Sequence, residues 1–236
     1  MQRIAFDVDP IAIIRNTLGG NEPDPVNATL LAEIGGAESI VCYFRDDEKT
    51  VTARDVRLLN ELVKTHFNVR VNLTEERIRA LIAMKVPMVT FVAPGDVHTL
   101  KPETLSLANY VPTLQNYIAE LRSNGILTSA LIAPELSEVK AASKLELDYI
   151  EIDASVLDEA EDMASEIDFL DKLNGLLLAA GKLGLGINIS GGIGYDNLRD
   201  IAALEYIEDI VVAEPVVHKS LYIGMEHAIR DLQSML

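Results

Sequence analysis

Along this chain, short apolar runs alternate with longer stretches in which apolar residues recur three and four positions apart. The runs are Ile4–Val8, Ser39–Phe44, Asn68–Val71, Met88–Val92, Leu127–Ile132, Tyr149–Ile152, Gly186–Ile189 and Asp209–Ala213. Several are almost continuously apolar, as parallel strands covered on both faces are. The stretches between them predict helices over Pro25–Ile34, Ala53–Lys64, Glu75–Met84, Asn109–Ser123, Leu136–Lys144, Glu166–Leu183, Asp196–Leu204 and Leu221–Leu236. Thr52 before Ala53-Arg54-Asp55 and Thr74 before Glu75-Glu76 read as helix starts. Gly125, Gly181 and Gly184 fall where helices should end. Strand then helix, repeated about eight times, predicts an α/β fold: a parallel sheet closed into a single (β/α)8 TIM barrel. A doubly wound open sheet is the alternative. No linker or low-complexity stretch divides the chain, so residues 1–236 read as one barrel domain.

Composition narrows the partners. The apolar fraction of 49% is ample for a core, while the net charge is −17 and the pI is about 4.5. Such a surface repels nucleic acid and anionic lipid, so neither is expected as a partner. An anionic ligand would need a local basic pocket. Cys42 is the only cysteine. It reads as a small buried hydrophobe, and the absence of any pairing fits a reducing compartment. Met1-Gln2-Arg3 runs straight into a strand, and no apolar run approaches the roughly 18 residues of a membrane span. The expectation is a cytoplasmic protein. The acidic segment 153–168 follows the sixth strand and reads as a solvated loop or helix start, or as a flap over the mouth.

Residue patterns then point to a family. Asp7-Val8-Asp9-Pro10-Ile11-Ala12, Arg15-Asn16, Gly19 and Pro23-Asp24-Pro25 open the chain. Tyr43-Phe44-Arg45-Asp46-Asp47, Arg54-Asp55-Val56, Thr74-Glu75-Glu76, Tyr149-Ile150-Glu151-Ile152 and Asn188 follow in order. The chain resembles the pyridoxine 5′-phosphate synthase family over nearly its whole length. That resemblance implies a barrel that assembles through dimers into octamers. It also implies a transferase of vitamin B6 biosynthesis that condenses 1-deoxyxylulose 5-phosphate with 3-amino-2-oxopropyl phosphate. Asp9, Arg15, Asn16, Arg45, Glu151 and Asn188 match the family pattern. Others depart from it. The family's first-strand histidine is Pro10 here, and its asparagine is Asp7. Its second-strand histidine is Tyr43, the later histidine of that loop is Thr50, and its third-strand acid/base glutamate is Arg70. Its seventh-strand histidine is Gly191, and its eighth-strand Gly-His pair is Ala213-Glu214.

These departures change the chemistry on offer. Ring closure needs groups that give and take protons near neutral pH, and Arg70 is a permanent cation. Of the four histidines, His66 and His227 read as helix residues, while His98 and His218 lie in loops on the functional side. Tyr43, Arg45, Arg70 and Glu151 are the catalytic candidates. Asp7, Asp9, Arg15, Asn188, Ser190, Gly191, Gly192 and Glu214 are the ligand-binding ones. Arg45 and Arg70, on neighbouring strands, read as a clamp for phosphate or carboxylate. Arg70 reads equally well as an internal ion pair with one of the acids. Ser190-Gly191-Gly192-Ile193-Gly194 reads either as a phosphate cradle or as a tight turn. The ligand expected is a small anion or zwitterion. No cofactor is called for and no metal is assigned, with Mg²⁺ on the carboxylates as the open alternative. Three functions stay open: a divergent barrel with altered chemistry, a synthase with substitute residues, and a non-catalytic paralogue that serves assembly or regulation. Arg15 is the candidate for reaching a neighbouring subunit.

Overall fold

The computed structural model describes residues 2–95, 100–159 and 163–236. Its strands are β1 (Arg3–Asp7), β2 (Ser39–Phe44), β3 (His66–Asn72), β4 (Met88–Val92), β5 (Leu127–Ile132), β6 (Tyr149–Asp153), β7 (Gly186–Ser190) and β8 (Asp209–Val212). They pair in sequence order and all in parallel. The last strand returns to the first, with Ala5 opposite Val211, so the sheet is a closed barrel. The expected (β/α)8 barrel is therefore the fold, and the open sheet is excluded.

Strand periodicity sorts the side chains into two environments. On β2, Ile40, Cys42 and Phe44 join the main core between sheet and helices. Val41 and Tyr43 face the other way, each into a small apolar cluster: Ala5, Val41 and Val211 in one, Tyr43, Val92 and Leu131 in the other. Other interior positions are polar. Arg70 sits in register with Tyr43 and Thr90, and Glu151 with Leu131 and Asn188. Barrels of this kind usually fill such positions with branched aliphatics. Burying a polar belt requires internal partners, which the site supplies.

The helices are α1 (Asp9–Leu18), α2 (Pro25–Gly35), α3 (Ala53–Leu62), α4 (Glu75–Met84), α5 (Val111–Ser123), α6 (Leu136–Lys144), α7 (Val156–Glu159), α8 (Met163–Lys182), α9 (Leu198–Ala202), α10 (Glu214–Ile223) and α11 (Met225–Gln233). Thr52 caps α3 as expected, in a reciprocal box with Asp55. Two helices go beyond the sequence prediction. Both α1 and α10 start directly at a strand end, with proline in the first turn after an acid: Asp9-Pro10 and Glu214-Pro215. Proline is preorganised for that position and loses no hydrogen bond there. Gly224, at φ 83°, separates α10 from α11, so the one C-terminal helix predicted over Leu221–Leu236 is two. His66 opens β3 and is exposed, rather than closing a helix. No described helix is long and apolar enough to cross a membrane.

The two ends of the chain clasp through α2 and α11. A Cβ on Gly35 would lie 2.6 Å from the Glu226 carbonyl oxygen and 2.9 Å from Ile229 Cβ. The helices approach that closely only because the position is glycine. Gly35→Ala should cost about 1–3 kcal/mol by overpacking, read as a lower urea midpoint, whereas alanine at the open helical Gly175 should cost nothing.

Candidate functional site

A cavity of about 640 Å³ lies at the carboxyl ends of the strands. This is the end at which barrel enzymes place their chemistry. Asp7 and Asp9 come from the junction of β1 and α1, Arg70 from β3, and Lys101, Glu103 and Thr104 from the segment after β4. Asp153, Ser155 and Asp158 follow from β6 and its loop, Ser190, Gly191 and Gly192 from β7, and Glu214 and His218 from α10. Another hollow of comparable size, lined by Gln2, Tyr206 and Glu208 among others, opens elsewhere on the surface. It holds none of the candidate residues.

Arg70 organises the floor. Its Nη1 donates to Asp7 Oδ2, its Nη2 to Glu151 Oε1, and its Nε to Glu151 Oε1 at 3.1 Å. All three residues are buried. Of the two sequence readings of Arg70, the geometry is that of the internal ion pair. Burial draws the guanidinium down, and the Glu151 and Asp7 carboxylates more than reverse this, so its pKa lies above the ordinary value. Arg70 is accordingly a fixed cation and its donors are largely committed.

Asp9 has no comparable partner. Both its oxygens accept the Tyr43 N–H, at 2.9 and 3.0 Å. Its own N–H donates to Asp7 Oδ1 at 2.9 Å. Burial, and then the neighbouring Asp7 charge, push its carboxyl well above the usual range. Burial also raises Asp7, while Arg70 and the Asp9 N–H pull it back. Cys42 is held well above the ordinary thiol value by burial and then by Asp9, and it remains a neutral core residue.

The other candidates divide. Tyr43 is fully buried and its hydroxyl donates to Asn72 Oδ1, so it meets the site through its backbone N–H. Arg45 grips Asp47 bidentately at 2.9 and 3.0 Å, with its guanidinium 5.4 Å from the Tyr43 ring. That fork holds Asp47 down at about 2. The two arginines therefore form no joint clamp. Arg15 pairs with the buried Asp55 of its own chain at 2.8 Å. Asn188 is buried beside Glu151 in register, with Oδ1 unpartnered among the described residues. Neither Tyr43, Arg45, Arg15, Glu151 nor Asn188 lines the cavity.

The glycine loop has a packing explanation. A Cβ on Gly191 would lie 2.7 Å from Asp153 Oδ1, and one on Gly192 would lie 2.8 Å from the Ala154 carbonyl oxygen. Both residues also take positive φ, 85° and 60°. Asn197 ties the turn by accepting from Gly194 N and donating to the Gly192 carbonyl. The tight turn is thus what the geometry shows directly. The N–H groups of Gly191, Gly192 and Ile193 nonetheless meet no acceptor among the described residues. Glu214 pairs with Lys101 at 3.4 Å across the mouth. His218 is exposed on the cavity rim, and His98 lies outside the described residues, as do 160–162 of the acidic segment. Among the described residues no three His, Cys, Asp or Glu converge as a metal set. Sequence reasoning passed over Lys101 and Asp158 as wall residues. Only their position in βα loops marked them.

A closed parallel barrel with a polar cavity at its carboxyl-terminal strand ends defines the (β/α)8 class. Solved structures agree on the fold. A thiamine phosphate pyrophosphorylase from Pyrococcus furiosus superposes with TM-score 0.64 at 16% identity, over 99% of this chain and 94% of that one. A 3-hexulose-6-phosphate synthase from Salmonella typhimurium gives 0.63 at 12%, over 100% and 98%. Sequence similarity is more particular. The profile of the family described as "Pyridoxal phosphate biosynthesis protein PdxJ" matches residues 4–236. Pyridoxine 5′-phosphate synthases from Geotalea daltonii and Geotalea uraniireducens are 33% and 34% identical over 236 residues, covering 100% of this chain and 99% of each relative. The chain belongs to the PdxJ family.

Arg70→Met should leave Asp7 and Glu151 buried without their cation. The expected loss is about 3–5 kcal/mol at neutral pH, measured by urea unfolding. The loss should shrink when Glu151→Gln is added, since one uncompensated charge is then removed.

Proposed function

We propose that this chain is a divergent pyridoxine 5′-phosphate synthase-like barrel, acting as one domain over residues 1–236. It binds a small phosphorylated or carboxylated metabolite at the mouth, with altered or reduced catalysis. The observation that carries the reading is Arg70. It stands where the family pattern has a proton-transferring glutamate, and its donors go to Asp7 and Glu151. A guanidinium so committed neither accepts a proton nor turns to a ligand. Anion binding falls instead to Ser190 and the N–H groups of Gly191, Gly192 and Ile193. Backbone donors after the seventh strand are a common phosphate seat in such barrels. Exposed Leu221 and Tyr222, at 75% and 87%, fit burial between subunits in a homo-oligomer.

A second reading is the family ring closure performed with substitute residues. The buried Asp9, facing the cavity and drawn above the usual carboxyl range, favours it.

The protein at high concentration, incubated with 1-deoxyxylulose 5-phosphate and 3-amino-2-oxopropyl phosphate, decides between them by mass detection of pyridoxine 5′-phosphate. No product above the uncatalysed background is expected. Calorimetry should still show 3-amino-2-oxopropyl phosphate binding, weakened about tenfold by Ser190→Asp, whose charge opposes the phosphate. Product that disappears in Asp9→Asn would establish the second reading. Absence of both product and binding would defeat the first.

A further inference from the structure

The carboxyls at the end of β1 are more than two wall residues. We propose that Asp7 and Asp9 form a one-proton carboxyl pair facing the cavity, with Arg70 holding Asp7 as the anionic member and Asp9 carrying the proton. This deepens the ligand-binding reading above and rests on it only for the identity of what the pair touches.

The donors around these carboxyls are unequally shared. Three buried carboxyls, Asp7, Asp9 and Glu151, share one buried guanidinium. Its hydrogen bonds go to Asp7 and Glu151. Asp7 also receives the Asp9 N–H, so it has two donors and one of them is charged. Among the described residues Asp9 receives a single neutral N–H, that of Tyr43. Both carboxyls are buried and linked through the Asp9 N–H, so each opposes ionisation of the other, and the proton stays on the one with fewer donors. That one is Asp9. The other charges near the pair do not alter this order. Arg45 is committed to Asp47, the Cys42 thiol behind the strand is neutral, and Glu214 from α10 faces Asp7 and adds negative charge.

Both carboxyls line the cavity. A ligand carbonyl or hydroxyl there meets an acid O–H, and an amine meets the adjacent carboxylate. Asp9 can pass its proton to a ligand heteroatom, leaving a transient dianionic pair beside Arg70 that regains a proton from water in the cavity. Asp7 and Arg70 are positioning residues in this scheme, since each acts through Asp9. The pair exists because position 7 is aspartate. Asparagine there would remove the carboxylate to which the Asp9 N–H donates.

The first test needs no ligand. Protein carrying ¹³C-labelled aspartate is titrated by NMR, with Asp7→Asn and Asp9→Asn assigning the two carboxyl signals. One carboxyl is expected to stay protonated far above the ordinary value of 3.8, and the other to remain ionised. In Asp7→Asn the remaining Asp9 signal should move down toward 3.8. Both carboxyls ionised at pH 7, or an Asp9 titration unmoved by Asp7→Asn, overturns the pair. If Asp7→Asn fails to fold, Glu214→Gln serves: the Asp7 signal should shift slightly down while Asp9 stays the protonated member.

Stability supplies a second readout. The folded state holds the Asp9 proton more tightly than the unfolded chain does. Its contribution is fully present below 3.8 and is lost as pH rises through the folded titration. The urea midpoint of the native protein should therefore fall, relative to that of Asp9→Asn, across this window. Parallel curves overturn the assignment. With 3-amino-2-oxopropyl phosphate as probe, affinity should drop about tenfold per pH unit above the upper titration, and Asp9→Asn should flatten the profile. A probe that binds at no pH counts against the ligand reading, while the titration alone decides the pair.

Discussion

A single guanidinium crosses the centre of this barrel. Arg70 projects from β3 and joins Asp7 on β1 to Glu151 on β6. Buried ion pairs are weak evidence for net stability, because desolvation offsets much of their attraction. Their geometric demand is strong, however. Strands distant in sequence must present their ends at one height for three charges to meet, and the barrel closure of β8 on β1 sets that height. Loss of one partner strands the others, so the network ties the register of the sheet to the shape of the cavity floor.

The fold was legible because its signals are redundant. Eight apolar runs and the helical spacing between them agree with the observed strand order, and local and global preferences point the same way. The site was legible by position and less so by role. Asp7, Asp9, Arg70, Ser190, Gly191, Gly192 and Glu214 do converge. What periodicity could not say is which groups spend their donors on one another. Arg45 and Arg70 are neighbours by strand order, but Arg45 turns to Asp47 two residues on, and Arg70 turns across the barrel. That choice depends on long-range distances no local pattern contains. The helices α1 and α10 escaped for a different reason. An acid followed by proline at a strand end reads as a break, although it is also a good first turn.

Those two helices bear on the electrostatics of the mouth. Asp9 and Glu214 are their first-turn acids, and they stand just past the ends of the adjoining strands β1 and β8. The seam where the barrel closes is thus walled by carboxyls. A helix N-terminus favours negative charge, so each acid is locally well placed while crowding its neighbours. Asp9 answers the crowding by holding its proton, and Glu214 by pairing with Lys101.

The chain's overall charge of −17 would by itself repel an anionic metabolite. Screening confines that field to about 10 Å at 0.1 M salt, so groups within the cavity decide the outcome. Asp7 is offset by Arg70, Glu214 by Lys101, and Asp9 is held towards its neutral form. Asp153 is folded back onto the Ser155 N–H and hydroxyl. What the cavity then presents is the row of N–H groups from Gly191 to Ile193, which meet no acceptor among the described residues, and the Asp9 carboxyl. A molecule with an anionic end for the first and a carbonyl or amine for the second matches both. The acidic composition is therefore compatible with a phosphorylated or carboxylated ligand, because the cavity offsets its own charges before the ligand arrives.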